Sequence, residues 1–594
     1  MSAYRAPLRD LRFVMHEVLH YAQHCAQLGR PELDVATVDS VLEQGARFAE
    51  DVVAPLNPGA DATGAVLQDG VVRAPAGFRA AHDRFCADGW ISLCWPEAVG
   101  GQNLPESLGI AVCDLVSSAS MAFRMYSGLS DAAILTLEAH ASEALQATYL
   151  PKLVSGRWLA TMCLTEPQAG TDLALLRTRA EPAADGAYRL TGGKIFISAG
   201  EHDLGENIVH LVLARLPDAP AGTRGISLFL VPKLLPGPDG APGARNGVVC
   251  TRLEHKMGLH GSATCALEFQ GATGWLVGRP HDGLKCMFTM MNHARLWVGI
   301  QGLGQAERGY AKSLAYARER LQGRAPGAAV PASPLIDHAD VRRMLLTQKA
   351  LIEGGRLLAY FAALELDNAR RHPDAGERAR AADVLALLTP LVKSFLTESA
   401  LETTSLAIQV HGGHGYVRDT GVEQFYRDVR VTAIYEGTNS VQAVDLLGRK
   451  VLGDGGRLAR LLGRLIGGFC TTHAGYEELA DFVPRLAGLL KEWTDVTERL
   501  GERVSRVPEE LGAAAVDYLQ FTGYLCLAWC WAKMAAVAIV RLKHAPPDAA
   551  FYRAKLDTAR FYYARLLPRA EMHVDALSTG AAPLLALPAE HFSF

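Results

Sequence analysis

The chain is 594 residues long, 49% hydrophobic and 21% charged, with a formal net charge of −4. That length suggests about three or four domains with sizeable cores, and the near-neutral balance leaves no bulk electrostatic footprint for nucleic acid or an anionic membrane. The 11 cysteines show no paired spacings, Cys526 and Cys530 being a helical four apart, which points away from a disulfide framework and towards a reducing, cytoplasmic compartment.

Met1–Arg12 carries three arginines and no apolar run, unlike a secretory signal, and Asp10 and Glu17 interrupt a transit-peptide pattern. Apolar residues then recur at helical spacing in Leu11-Val14-Val18, Val38-Leu42-Ala46-Ala49 and Ile134-Leu137-Ala141-Leu145, so residues 1–157 read as a helical domain. From Trp158 the period changes. Tyr188–Thr191, Gly192-Gly193 and Lys194–Ser198 read as a hairpin, and apolar runs follow at Ile208–Leu213, Ile226–Val231, Gly247–Leu253 and Cys265–Phe269. Residues 158–283 are therefore expected to be a β domain set between helical regions.

Residues 284–450 return to helical periodicity in Met287–Gln322, Ala339–Asn368 and Ala381–Val410, with the Gly/Pro/Ala-rich Gly323–Pro334 between the first two. Residues 451–594 read as a further helical domain, broken near Val507-Pro508 and Ala545–Pro547. Its most apolar run, Tyr524–Val540, contains Lys533 and is short for a bilayer, so a buried helix is expected rather than a transmembrane one. Tyr518, Phe521, Tyr524, Trp529 and Trp531 there supply large apolar area that needs burial against the rest of the chain.

Four stretches carry possible chemistry. Met162-Cys163-Leu164-Thr165-Glu166-Pro167-Gln168-Ala169-Gly170-Thr171-Asp172 offers hydroxyls and backbone N–H groups to a flat polar ring or a phosphate, or is simply a Pro/Gly turn. Arg295, in Met291-Asn292-His293-Ala294-Arg295, suits a phosphate or an acid, or is a surface arginine. In Gln409-Val410-His411-Gly412-Gly413-His414-Gly415-Tyr416 the glycines allow close approach of a ligand, and the two histidines lack a third ligand at metal spacing. Finally, Ile434-Tyr435-Glu436-Gly437-Thr438-Asn439 puts a carboxylate on a tight loop, with Thr438 and Asn439 placed to cap the next helix. Gly302-Leu303-Gly304 lies inside a helical pattern and is not a dinucleotide fingerprint.

In this order, the four stretches resemble the acyl-CoA dehydrogenase superfamily over roughly residues 30 to 450. The resemblance implies an α+β, mainly helical fold: an N-terminal helical domain, a middle β domain and a C-terminal four-helix bundle, here with an extra C-terminal helical domain. It implies FAD as cofactor, touched by Met162, Leu164, Thr165, Gly170, Thr171, Phe196, Ile197, Ser198 and Thr438, with Arg320, Gln409 and Gly413 reaching it across a homo-oligomer, a dimer or tetramer. Glu436 matches the catalytic base, and Asn292, Arg295, Tyr435 and Gly437 match contacts to an acyl-CoA substrate. Electron-transfer flavoprotein is the implied electron acceptor, with no nucleic-acid partner.

Three departures stand out. Gln168 replaces a Gly, Phe196 replaces a flavin-shielding Trp, and the family's Arg-x-x-Phe-Gly is present as Arg320-Leu321-Gln322-Gly323 with a Pro-rich insertion behind it. With the chain after Lys450, these resemble an extended branch of the superfamily acting on 3-methylmercaptopropionyl-CoA. An acyl-CoA oxidase shares the layout but passes electrons to oxygen. A DNA-associated branch would carry a basic C-terminal region, whereas residues 451–594 hold 16 basic and 16 acidic residues that cancel.

Overall fold

The change of period at Trp158 marks the first strand of a seven-stranded sheet. In the computed structural model, which describes residues 4–593, the chain forms two compact units, one of residues 7–43 and 298–593 and the other of residues 4–6 and 44–297. In the second unit a short hairpin comes first, β1 (Val66–Gln68) and β2 (Val71–Arg73), turned at Asp69-Gly70 with φ of 52° and 74°. The helical reading of the first 157 residues overlooked it.

The sheet comprises β3 (Trp158–Cys163), β4 (Arg179–Pro182), β5 (Tyr188–Ser198), β6 (Asn207–Arg215) and β7 (Ile226–Pro232), then, after the separate pair β8 (Leu234–Pro236) and β9 (Pro242–Arg245), β10 (Val248–Leu253) and β11 (Thr264–Val277). Its order is β10-β11-β5-β4-β6-β3, with β7 bridging β6 and β11, and β3 lies parallel to β6. Every residue of β7, and all of β6 but Arg215, is buried, which explains why these strands read as continuous apolar runs instead of alternating ones.

The hairpin expected at Gly192-Gly193 is not there. β5 runs unbroken from Tyr188 to Ser198 and pairs with β4 on one side and β11 on the other. A Cβ on Gly192 would lie 2.8 Å from the Thr178 Cα, so the glycine serves a close backbone crossing, not a turn. The core of this unit packs Trp158, Leu211 and Leu228 against Ile134, Leu137, Tyr149 and Leu153 of the flanking helices. The Ile134–Leu145 periodicity likewise spans two helices: one ends at His140, and Ser142 caps the next by accepting from the Leu145 N–H at 3.4 Å.

The first unit is a bundle of long helices. Gly283–Glu319 contributes its part from Val298 onward, where Leu303 and Ala306 pack with Ile352 of Ala339–Arg371 and Ala400 of Ala375–His411, and Glu509–Lys543 packs on those latter two helices. Approach is close: a Cβ on Gly299 would lie 2.6 Å from the Val392 carbonyl oxygen, and one on Gly523 would enter the Phe395 ring. The C-terminal helices therefore pack on the bundle, as their aromatic content required. Trp531 donates from Nε1 to the Ala350 carbonyl at 3.0 Å, and Trp493 to Thr522 at 2.9 Å. Both Ala375–His411 and Glu509–Lys543 are long and apolar enough to cross a membrane, yet 78% and 61% of their most apolar windows are buried inside the protein. Buried Lys555 bonds Glu353 at 2.8 Å and also Asp10, which pairs with Arg356. Burial opposes charge on Asp10, but Lys555 and Arg356 outweigh it and hold this carboxyl well below the ordinary range.

Candidate active site

In the first unit, the loop carrying Glu436 is built by strain and held by buried amides. Arg430–Ala433 forms a 3-10 turn, after which Glu436 and Gly437 take φ of 58° and 86°. Glycine adopts that region freely. A glutamate there costs about 1–3 kcal/mol and persists only where surrounding contacts over-determine it.

Those contacts come from the next helix. Thr438 caps it, accepting from the Val441 N–H at 3.3 Å. Asn439, expected to share the capping, instead pins the loop to helix Ala375–His411. Its Oδ1 accepts from Lys393 Nζ at 2.8 Å, and its Nδ2 donates to Glu398 at 2.7 Å and Thr397 at 3.0 Å. Gln442, wholly buried, donates to the carbonyls of both Glu436 and Gly437 at 3.3 Å. Tyr435 donates to Gln301 on the long helix. The Glu436 side chain is half-buried, with Oε2 shielded from solvent.

At another end of this unit, helix Ala375–His411 stops where Gly412 takes φ of 58°. Gln409, Gly412 and Gly413 are exposed, nothing lies within 4 Å of a Cβ placed on either glycine, and Tyr416 beside them is 89% exposed. His411 stacks on Tyr316 at 4.4 Å, and His414 Nδ1 lies 3.1 Å from the Tyr316 hydroxyl. That stack places Gly413 near the turn before Arg320, which is exposed at the neck of the insertion. The neck is closed by Gln322 N to Ser333 O at 3.0 Å and Leu335 N to Arg320 O at 2.9 Å.

In the second unit, Met162 in β3 and Leu164 after it pack half-buried on the core, and the Thr165 carbonyl accepts from Ile195 N at 2.9 Å, joining the loop to β5. Gly170 and Thr171 are exposed. Phe196 is 59% exposed with φ of 60°, while Ile197 is buried opposite Cys265 and Ser198 pairs with Thr264. Arg295 is 7% exposed and is not a surface side chain; it donates to Asn292 at 3.1 Å.

The brace under the 162–172 loop escaped sequence reasoning. Glu166 and Lys194 are buried and paired at 2.8 Å, and Glu166 also accepts from the N–H groups of Arg177 and Thr178 at 2.7 and 3.0 Å. Gln168, the residue departing from Gly, closes the loop by donating to Glu166 at 2.6 Å. Burial alone would raise the Glu166 carboxyl, but Lys194 and these donors lower it to about 2. The available sequence signal was a lysine in the middle of an apolar strand. Because this carboxyl is depressed, its stabilisation is complete at neutral pH and fades as pH falls through the ordinary carboxylate range towards 2. Glu166→Gln should lower stability at pH 7 by about 3 kcal/mol by leaving Lys194 buried without its carboxylate. Melting temperatures against pH should show the gap to wild type closing on acidification, and a pH-independent gap would contradict the assignment.

Four family models match the chain in succession: the acyl-CoA dehydrogenase N-terminal domain over residues 38–157, its middle domain over 161–272, its C-terminal domain over 281–452, and an acetyl-CoA dehydrogenase C-terminal-like domain over 462–588. The chain is 44% identical to the 3-methylmercaptopropionyl-CoA dehydrogenase of Ruegeria pomeroyi, with 98% of this chain and 99% of that one covered. It is 34% identical to a broad-specificity linear acyl-CoA dehydrogenase of Mycobacterium tuberculosis, with 96% of each covered. Among solved structures, an acyl-CoA dehydrogenase from Bacillus anthracis complexed with FAD superimposes with a TM-score of 0.75 at 20% identity, covering 92% of this chain and 89% of that one. Matched from its N-terminal helices to its C-terminal extension, the protein is an enzyme of the acyl-CoA dehydrogenase family.

Proposed function

We propose that the protein is an FAD-dependent dehydrogenase that introduces an α,β double bond into a short acyl-CoA thioester. The 3-methylmercaptopropionyl thioester, for which the 44%-identical relative is named, is the first candidate. The observation that carries this reading is Glu436, a carboxylate held in a left-handed backbone by Gln442 and by the anchoring of Asn439. Strain maintained by dedicated hydrogen bonds is typical of a group whose position matters to chemistry.

The donor set suits a flavin. The hydroxyls of Thr165, Thr171 and Ser198 make no hydrogen bond to the described residues, Gly170 and Gly413 leave open backbone, and the exposed Phe196 ring presents a flat apolar wall. Bound FAD supplies the acceptor for the hydride lost from the β-carbon. The chain does the rest: Glu436 takes the α-proton, and its backbone N–H donates to the thioester oxygen as negative charge develops there. Asn292 and Arg295 hold the CoA portion, with Tyr435 and Gly437 lining the reacting end. Arg320, Gln409 and Gly413 serve a neighbouring copy of the chain in a dimer or tetramer, and electrons leave to electron-transfer flavoprotein in the cytoplasm, where the 11 free thiols stay reduced. Functionally the chain divides at 157, 283 and 450 into N-terminal helical, β, bundle and extension segments.

A panel of acyl-CoA thioesters assayed with an artificial electron acceptor tests this reading. Turnover with the acceptor, and little hydrogen peroxide under air, is expected. Peroxide formed in step with product would place the enzyme among the oxidases, and no turnover of any thioester would overturn the proposal.

A further inference from the structure

Within the second unit, two thiols face each other on the strands beside Phe196. β10 and β11 pair antiparallel with Cys250 opposite Leu267, and the alternation of β11 puts Cys265 on the same face as Leu267. Cys250 and Cys265 are therefore diagonal neighbours across the strand pair, and a bulge interrupts the register between Cys250 and Arg252. Both side chains are buried, and their thiols are hydrogen-bonded to each other. Donation from Cys265 holds the Cys250 thiol below its ordinary range against the cost of burial, whereas the same contact, together with burial, raises Cys265. One sulfur is thus prepared as a nucleophile and the other as its partner.

Cys265 also lies under the segment that ends β5. It pairs with Ile197, its Sγ is 4.0 Å from the Glu201 carbonyl oxygen, and a Cβ on Gly200 would stand 2.9 Å from the Cys265 Cβ. In that segment Phe196 and Ala199 hold φ of 60° and 51°, which residues other than glycine keep only under constraint from their surroundings.

We propose that Cys250 and Cys265 form a redox modification site, closing to a disulfide under a peroxide and thereby loosening the hold of the Phe196–Gly200 segment on FAD. The effect on FAD rests on the proposed placement of Phe196, Ile197 and Ser198 against it; the disulfide does not. The Cys250 thiolate attacks one peroxide oxygen, giving a sulfenic acid and hydroxide, and the hydroxide takes up the proton that Cys250 released. The Cys265 sulfur then attacks the Cys250 sulfur and expels its hydroxyl, which leaves as water with the Cys265 proton. Two thiols and one hydrogen peroxide become one disulfide and two waters. Diagonal neighbours stand about 7 to 8 Å apart, whereas a disulfide spans about 4.4 to 6.8 Å between Cα atoms, so closure draws β11 towards β10. That direction leads away from β5, which lies on the other side of β11. In a reducing compartment such a bond is transient, as a switch requires.

The test adds hydrogen peroxide to the flavin-loaded enzyme, alkylates the remaining thiols in denaturant and weighs the peptides of an unreduced digest. A Cys250–Cys265 cross-link is expected, lighter than the two free peptides by two hydrogen atoms and opened by dithiothreitol. Fluorescence of released flavin should rise about tenfold faster than in untreated enzyme, a modest share of the strain that such closure stores. Cys265→Ser should show neither the cross-link nor the faster release. Met572, 63% exposed, reports that the peroxide has acted. Met572 oxidised while both thiols remain free to alkylate overturns the inference, as does a cross-link that leaves flavin release unchanged. Should Cys265→Ser not fold, reversal of both cross-link and release by dithiothreitol in wild type decides. None of these readouts uses turnover, so failure here leaves the thioester panel to judge the enzymatic reading separately.

Discussion

Glu436→Gln is expected to abolish turnover while leaving fold, flavin and thioester binding in place. Glutamine is nearly isosteric, and the backbone N–H that would hold the thioester oxygen remains. What is lost is the proton acceptor, since an amide does not take an α-proton at neutral pH. Removing a general base typically costs about 10² to 10⁴ in rate, and the larger figure is expected where Oε2 is shielded from solvent and water cannot readily substitute. Steady-state kinetics with an artificial acceptor should show kcat falling by that factor with the binding constant for substrate little changed. Loss of binding with retained kcat would make Glu436 a substrate contact and not the base.

Asn439→Ala should have the next largest effect, although Asn439 is not placed on substrate. Its side chain holds Lys393, Thr397 and Glu398 of one helix against the first residue of the next, two positions beyond Gly437. Truncation withdraws the 2.8 Å acceptor from the fully buried Lys393, at a cost of about 1–3 kcal/mol in stability. It also removes an anchor that keeps Glu436 left-handed. A reacting group misplaced by about 1 Å loses roughly 10² in rate, so kcat should fall about a hundredfold with KM little altered. A thermal melt beside the kinetics separates the two effects. A variant that is destabilised but retains wild-type kcat would show that the loop holds its geometry without Asn439.

The broad plan was legible because it rests on period and order. The shift from helical spacing to short apolar runs at Trp158, and back near Leu284, falls at β3 and at the long helix Gly283–Glu319. Turn chemistry was less readable. Gly192-Gly193 and Asp69-Gly70 look alike as signals, yet the first lies within an 11-residue strand because Thr178 crosses close to it, and the second is a true hairpin turn. Nothing local in the sequence distinguishes them, since the deciding contact comes from another strand. The candidate residues themselves were read from a motif, and the structure adds how they are supported: Glu436 and Phe196 both take positive φ. Their supports, Lys393, Gln442 and the Glu166–Lys194 pair, went unseen because each joins segments distant in sequence or hides a polar group inside an apolar pattern.

Anaerobic mixing of the purified, flavin-loaded enzyme with 3-methylmercaptopropionyl-CoA or pentanoyl-CoA tests the role of Glu436 most directly, because flavin bleaching reports the chemical step without any electron acceptor. Wild type should bleach within its turnover time, and Glu436→Gln should stay yellow with substrate bound. A Glu436→Gln enzyme that bleaches at near the wild-type rate would contradict the assignment of Glu436 as the base.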